Sequence, residues 1–253
     1  MSAESKRETA RRRIAEKRAA EQRARAQERR RRQAVVGGVV AAVVVVVAVV
    51  VVIVVQSART SSSPDAAVPA NTVDGATAFA VGPADAPVTV DVYEDFLCPA
   101  CRQFEATTGD TLAALAADGT AQVRYHPIAI LDRASTDDYS TRALNAAAVV
   151  GDAAGTEAFL AFHDALFAEQ PAEGGPGLTD ERLGELAAEA GASGADVEEA
   201  ITGLAYEDWT REVTDAASRA GVTGTPTVLV DGAILQDRTP AGLRAAVEAA
   251  QAD

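Results

Sequence analysis

The chain has 253 residues and a net charge of −14, with 48% hydrophobic residues and only two cysteines, Cys98 and Cys101. The net charge conceals a division: residues 1–33 carry 13 Lys/Arg against 5 Asp/Glu, net +8, which leaves net −22 for the rest, and no lysine follows Lys17. Because the basic run abuts a long apolar stretch, it reads as a membrane-flanking tail that touches anionic headgroups, and no nucleic-acid partner is expected.

Residues 34–55 contain no charged or strongly polar side chain. As a helix they would span roughly 33 Å, enough to cross a bilayer, where unsatisfied backbone groups leave little alternative to helix. The span and its basic tail are both longer than those of a cleaved signal peptide, so an uncleaved transmembrane anchor is expected. The basic side marks the cytoplasmic end and places the acidic body outside the cytoplasm. Residues 56–76 are rich in Ser, Pro, Ala and Asp without apolar periodicity, and read as a flexible linker about 25 Å from end to end. Residues 77–253 are the size of one folded domain.

Within that body, 77–81 reads as a short edge strand, and 88–93 as a strand with alternating β-branched positions. Pro99 is suited to the first position of a helix, which makes Cys98 its N-cap. That helix should run to about residue 117, with a kink at Thr107-Thr108-Gly109-Asp110. Residues 121–125 form the next strand. Residues 137–220 turn helical: Phe159, Phe162, His163, Leu166 and Phe167 share one face, and His163 reads as a packed core residue. Gly151, Gly191 and Gly221 stand where glycines end helices, and 173–177 is a loop. Strand character returns at 227–230, Asp231-Gly232 is a hairpin turn, 233–236 returns, and Thr239-Pro240 caps a last helix ending near residue 250. A βαβ half followed by a ββα half gives an α/β fold with a mixed sheet covered by helices.

The two cysteines stand three residues apart at the mouth of the first helix of this body. An N-cap sulfur at Cys98 meets unpaired helix N–H groups and the positive end of the helix dipole, both of which favour thiolate. Cys101, one turn in and less accessible, can attack a mixed disulfide at Cys98 and resolve it. Other readings of the pair remain open. A structural disulfide here would close a two-residue loop and contribute little, and a redox-inert binding domain could keep the same scaffold. His126 and His163 lack the close pairing of zinc modules, so no metal or other cofactor is expected.

Three segments together, Asp95-Phe96-Leu97-Cys98-Pro99-Ala100-Cys101, residues 159–170 and Gly221-Val222-Thr223-Gly224-Thr225-Pro226-Thr227, resemble the membrane-anchored bacterial members of the DsbA-like thioredoxin-fold oxidoreductases. The resemblance covers roughly residues 80–250 and implies a thioredoxin fold with a helical insert at 137–220. It implies a Cys98–Cys101 disulfide that exchanges with cysteines of exported proteins, favouring a dithiol oxidase over a reductase or isomerase, or over a tethered interaction domain without enzymatic activity. It implies a cis Thr225–Pro226 bond beside Cys98, with Thr225 and Pro226 contacting the substrate strand, and a membrane, quinone-linked partner that restores the disulfide. One departure stands out. Val92 occupies the position, six residues before Cys98, where such proteins carry a buried acid that assists proton transfer at the resolving thiol; Asp95 and Glu94 are the candidate substitutes. The Pro99-Ala100 dipeptide lacks the histidine of the strongest oxidants, which implies a milder one.

Overall fold

The computed structural model describes residues 66–252. The basic tail, the apolar run 34–55 and most of the linker lie outside the described residues; among the described residues no helix is long and apolar enough to cross a membrane. The tether expected over 56–76 is shorter than its composition suggests. Its last residues belong to the domain, because Thr72–Val73 forms a strand (β1) paired antiparallel with β2, Ala78–Val81. Asn71 also donates its side-chain amide to the Gly151 carbonyl at 3.1 Å.

The sheet has the order β1-β2-β4-β3-β5-β6. At its centre β3, Val88–Glu94, lies parallel to β4, Ala121–Pro127, and the helix α1, Pro99–Ala117, connects them. On the other side of β3, β5 (Thr227–Val230) runs antiparallel, turns through Asp231-Gly232 into the short β6 (Ala233–Ile234), and leads to the last helix. This is the expected βαβ and ββα pairing. Alternation along β3 buries Val88, Val90, Val92 and Glu94 on one face and leaves Thr89, Asp91 and Tyr93 half-buried on the other. A strand of period two can therefore deliver a carboxylate to the core only in step with its valines.

Between β4 and β5 stand four helices: α2 (Tyr139–Ala168), α3 (Asp180–Glu189), α4 (Ala195–Thr202) and α5 (Glu207–Arg219). The last helix, α6, is Pro240–Ala250, with the Thr239 hydroxyl capping the Gly242 amide. Two local expectations change. Gly151 does not end a helix: α2 passes through it, and a Cβ there would lie 2.3 Å from the Phe79 ring, so the glycine makes room for that ring. Phe79 in turn stacks on Phe159 with centroids 4.0 Å apart, at the heart of the core. The break in α2 comes instead at Gly155, whose φ of 86° suits a residue without a Cβ. The kink expected at 107–110 is also absent. Thr107 bonds back to the Gln103 carbonyl at 2.9 Å and Thr108 bonds across to the Arg238 carbonyl at 3.0 Å, so both hydroxyls are satisfied without opening α1.

Candidate active site

Cys98 is the N-cap of α1, in extended conformation, and Pro99 follows at the first helical position. The Cys101 amide donates to the Cys98 sulfur at 3.4 Å, and the Cys98 thiol reaches the Thr225 carbonyl, also at 3.4 Å. Both cysteines are free thiols; Cys98 is 6% exposed and Cys101 fully buried. The two sulfurs are driven apart in acidity. A hydrogen bond from the Cys101 thiol, opposed by burial and joined by the Thr225 side chain and the Cys101 and Ala100 amides, brings Cys98 down to about 5. Burial, then the hydrogen bond to Cys98 and the Glu94 charge, hold Cys101 far above the usual thiol range, with the Asp95 amide pulling the other way. At neutral pH the pair is one thiolate and one thiol, with the thiolate nearer solvent.

Facing Cys98, the Thr225–Pro226 bond is cis. Pairing of Tyr93 with Thr227 explains why these residues meet: antiparallel β5 starts beside the end of β3, and the cysteine loop leaves from that same end. Arg238 donates to the Pro226 carbonyl at 2.6 Å and ties the approach to α6 to this loop.

Asp95 and Glu94, adjacent in the chain, have different surroundings. Asp95 is buried, with both oxygens occupied: Oδ1 accepts from the Leu97 amide (2.9 Å) and the Ser140 hydroxyl (2.7 Å), and Oδ2 from the Ile130 and Leu131 amides (2.9 and 3.0 Å). Burial raises its carboxyl to about 6 against the pull of these donors. It clamps the cysteine loop to the segment after β4 and to the start of α2. Glu94 is fully buried on the Val92 face; its Oε1 meets His163 Nε2 at 2.6 Å, and its Oε2 has no partner among the described residues. The acid absent at Val92 is thus present two residues further along the same face of the same strand. Of the two candidates, Glu94 has the free oxygen.

Three further residues join the site: His163 and Gln170 fall within the 159–170 segment, and no local motif marks Glu105. His163 projects from α2 into a cage formed by Tyr125, Phe167 and Phe96, with ring centroids 4.8, 5.0 and 5.9 Å away. Burial alone would lower its pKa, but Glu94 and Asp164 outweigh burial and hold it well above the ordinary histidine value. Gln170, just past α2, donates to the Phe96 and Cys98 carbonyls, each at 3.0 Å, and braces the loop from below. Glu105 of α1 brings a third acid towards Glu94 and His163: one ligating atom from each lies within 4.8 Å of the others. The apolar stripe around His163 is legible in sequence; its partner on a strand 69 residues earlier is not.

His126 stands elsewhere. It stacks on Tyr93 at 4.3 Å and meets Asp91 at 2.9 Å on the opposite face of the sheet, with Asp74 and Thr77 nearby, so it takes no part at the cysteines. Asp74, Asp91 and His126 form a second acid–acid–histidine group, in which Arg124 lies 3.9 Å from both carboxylates and supplies positive charge.

A strand-borne loop whose N-cap cysteine faces a cis proline across a mixed, helix-covered sheet defines the thioredoxin class, and residues 74–249 match the thioredoxin family. The chain belongs to that family. Among solved structures it is similar to the reduced disulfide bond oxidoreductase DsbG of Mycobacterium tuberculosis (38% identity, TM-score 0.62, covering 70% of this chain and 88% of that one). It is similar also to oxidised DsbA of M. tuberculosis (38%, TM-score 0.61, 70% and 93%). BdbD of Bacillus subtilis, at 20% identity and TM-score 0.62 over 75% of this chain and all of that one, shares the fold. A curated relative, the serine/threonine-protein kinase PknE of M. tuberculosis, is 34% identical over 116 residues, 44% of this chain; the match spans a fifth of the kinase's length. The domain is therefore a DsbA-like member of the thioredoxin fold with the architecture of thiol–disulfide oxidoreductases.

Proposed function

We propose that the protein is an extracytoplasmic, membrane-tethered thiol–disulfide oxidoreductase that passes a Cys98–Cys101 disulfide to cysteines of exported proteins. The observation that carries this reading is the split acidity of the pair: Cys98 brought down to about 5, Cys101 held high and buried. A low-pKa sulfur leaves readily from a mixed disulfide and stabilises the reduced enzyme, which makes the disulfide form an oxidant. A thiol near 5 falls between about 7 for reducing members of this fold and about 3.5 for its strongest oxidants, which supports a dithiol oxidase of moderate strength. A client thiolate attacks Cys98, the more exposed sulfur; Thr225 and Pro226 line its approach, and Cys101 leaves into the interior. The apolar run 34–55 with its basic flank supports anchoring with the domain outside the cytoplasm, where a membrane partner, quinone-linked by the resemblance, reoxidises the pair.

Replacing Cys101 by Ala removes the resolving sulfur. Disulfide-linked client adducts should then accumulate on the cell-surface protein and vanish when Cys98 is also changed to Ser; a C101A protein without adducts would reduce the domain to an interaction module. The reduction potential decides direction. A value closer to about −120 mV than to about −270 mV is expected, and the lower value would mark a reductase.

A further inference from the structure

Glu94, Glu105 and His163 meet in the interior from three different elements, β3, α1 and α2. A buried ion pair needs one acid and one base, but this group has two acids. Glu94 Oε2 and Glu105 Oε1 are two of the three buried side-chain polar atoms without a partner among the described residues. Bare carboxylate oxygens in a core are costly. No Lys or Arg, Arg102 of the adjoining groove included, forms a salt bridge with either glutamate among the described residues. The cluster on the opposite face of the sheet is different, because there Arg124 stands 3.9 Å from both carboxylates.

We propose that Glu94, Glu105 and His163 bind one divalent transition-metal cation, and that zinc suits the donors best. One ligating atom from each residue lies within 4.8 Å of the others. One imidazole with two carboxylates is a mixed nitrogen and oxygen set of the kind zinc accepts, whereas calcium and magnesium prefer oxygen alone. The +2 charge answers the two carboxylates, so the loaded site carries no net charge into the core. The ion takes the place of the proton between Glu94 Oε1 and His163 Nε2. Their 2.6 Å separation then opens to the roughly 3.4 Å that two ligands of a tetrahedral zinc require.

The surroundings are those of a metal-bound histidine. His163 Nδ1 meets Asp164 Oδ1 at 2.9 Å. With Nδ1–H donating to that carboxylate, Nε2 turns its lone pair towards the glutamates, the orientation that a carboxylate behind a ligating imidazole enforces. Glu105 has room to close on the ion, because its Oε2 lies 3.0 Å from where a Cβ on Gly109 would stand. A groove of about 700 Å³ lined by Glu105, Asp164 and Phe167 gives the ion an entry path and supplies water as fourth ligand. Bound there, the cation staples the end of β3 to the cysteine-bearing helix and to the helical insert. Sequence spacing hides the site, since the ligands come from three elements and only one of them is a histidine. It uses neither sulfur, so it stands or falls apart from the exchange reading.

The test is calorimetric titration of zinc into the full-length protein, stripped with a chelator and held oxidised so that Cys98 and Cys101 cannot ligate. One zinc ion per chain should bind. At a hundred times its dissociation constant, zinc should raise the thermal midpoint by about 5 °C. Glu105→Gln, near-isosteric and at the groove edge, should weaken binding more than about a hundredfold. Asp164→Asn, on a side chain 76% exposed and so without risk to the core, should weaken it about tenfold. The chain has only two histidines, so His126→Gln separates the two faces of the sheet and should leave the affinity unchanged. Absence of zinc binding, binding that survives Glu105→Gln, or binding lost with His126→Gln would overturn the site.

Discussion

A cluster of one histidine and two carboxylic acids lies against each face of the paired strands β3 and β4. On one face His126 meets Asp91, with Asp74 close by; on the other His163 meets Glu94, with Glu105 close by. They differ in where positive charge comes from and in who listens. The first borrows Arg124, and its Asp74 is half-exposed. The second has His163 as the positive partner of Glu94, is buried in an aromatic cage, and lies within electrostatic reach of Cys101. Burial makes the charges of the second cluster interact strongly, whereas solvent and Arg124 screen those of the first.

The largest contrast should appear on truncation. His163→Ala leaves the buried Glu94 carboxyl without its partner and empties an aromatic cage, so a loss of about 4 kcal/mol is expected, in the range for breaking a buried ion pair. His126→Ala loses the Tyr93 stack and an Asp91 bond beside a remaining arginine, and about 2 kcal/mol is expected. Urea unfolding of both variants measures the gap; equal losses would dissolve the contrast.

The two faces were also unequally legible in sequence. Alternation in 88–94 declares which residues share a face, proline at 99 declares the N-cap at Cys98, and the turn at Asp231-Gly232 declares the last hairpin, because each is a local rule of backbone geometry. His163 also looks like what it is locally, a residue on an apolar stripe. Its charge state is set by Glu94 and Asp164, and only tertiary packing brings the first of these to it. Gly151 fails as a helix terminator for the same reason: the Phe79 ring from a distant strand decides its role. Asp95 and Glu94 cannot be told apart until Ile130, Leu131 and Ser140 are seen to saturate one of them.

A second effect, smaller in size, is the pH dependence of stability. Glu105 is raised from an ordinary 4.5 to about 8, so the folded state holds its proton more tightly, and stability declines as pH rises across that window. His163, raised above 6.5, contributes stability that is complete below 6.5 and is lost as pH climbs through its folded value. Both act in the same direction between pH 6 and 8, so the unfolding free energy should fall as pH rises. Glu105→Gln should remove about half of that fall, leaving the share of His163. A wild-type stability that climbs over this interval would reverse the assignment of the buried charges.

The smallest effect should come from Asp91→Asn. The amide oxygen can still accept from the histidine, Asp74 and Thr77 stay at hand, and Asp91 is only partly buried, with 16% of its side chain exposed. A cost below about 1 kcal/mol is expected, with no change in the rate of disulfide opening at any pH. The matching change on the other face, Glu94→Gln, keeps size and polarity yet removes the main charge that holds His163 up against its burial, and should cost at least twice as much while slowing the opening step. A D91N protein that opens its disulfide as slowly as E94Q would mean that the sheet transmits charge between its faces, and the two clusters would then be one system.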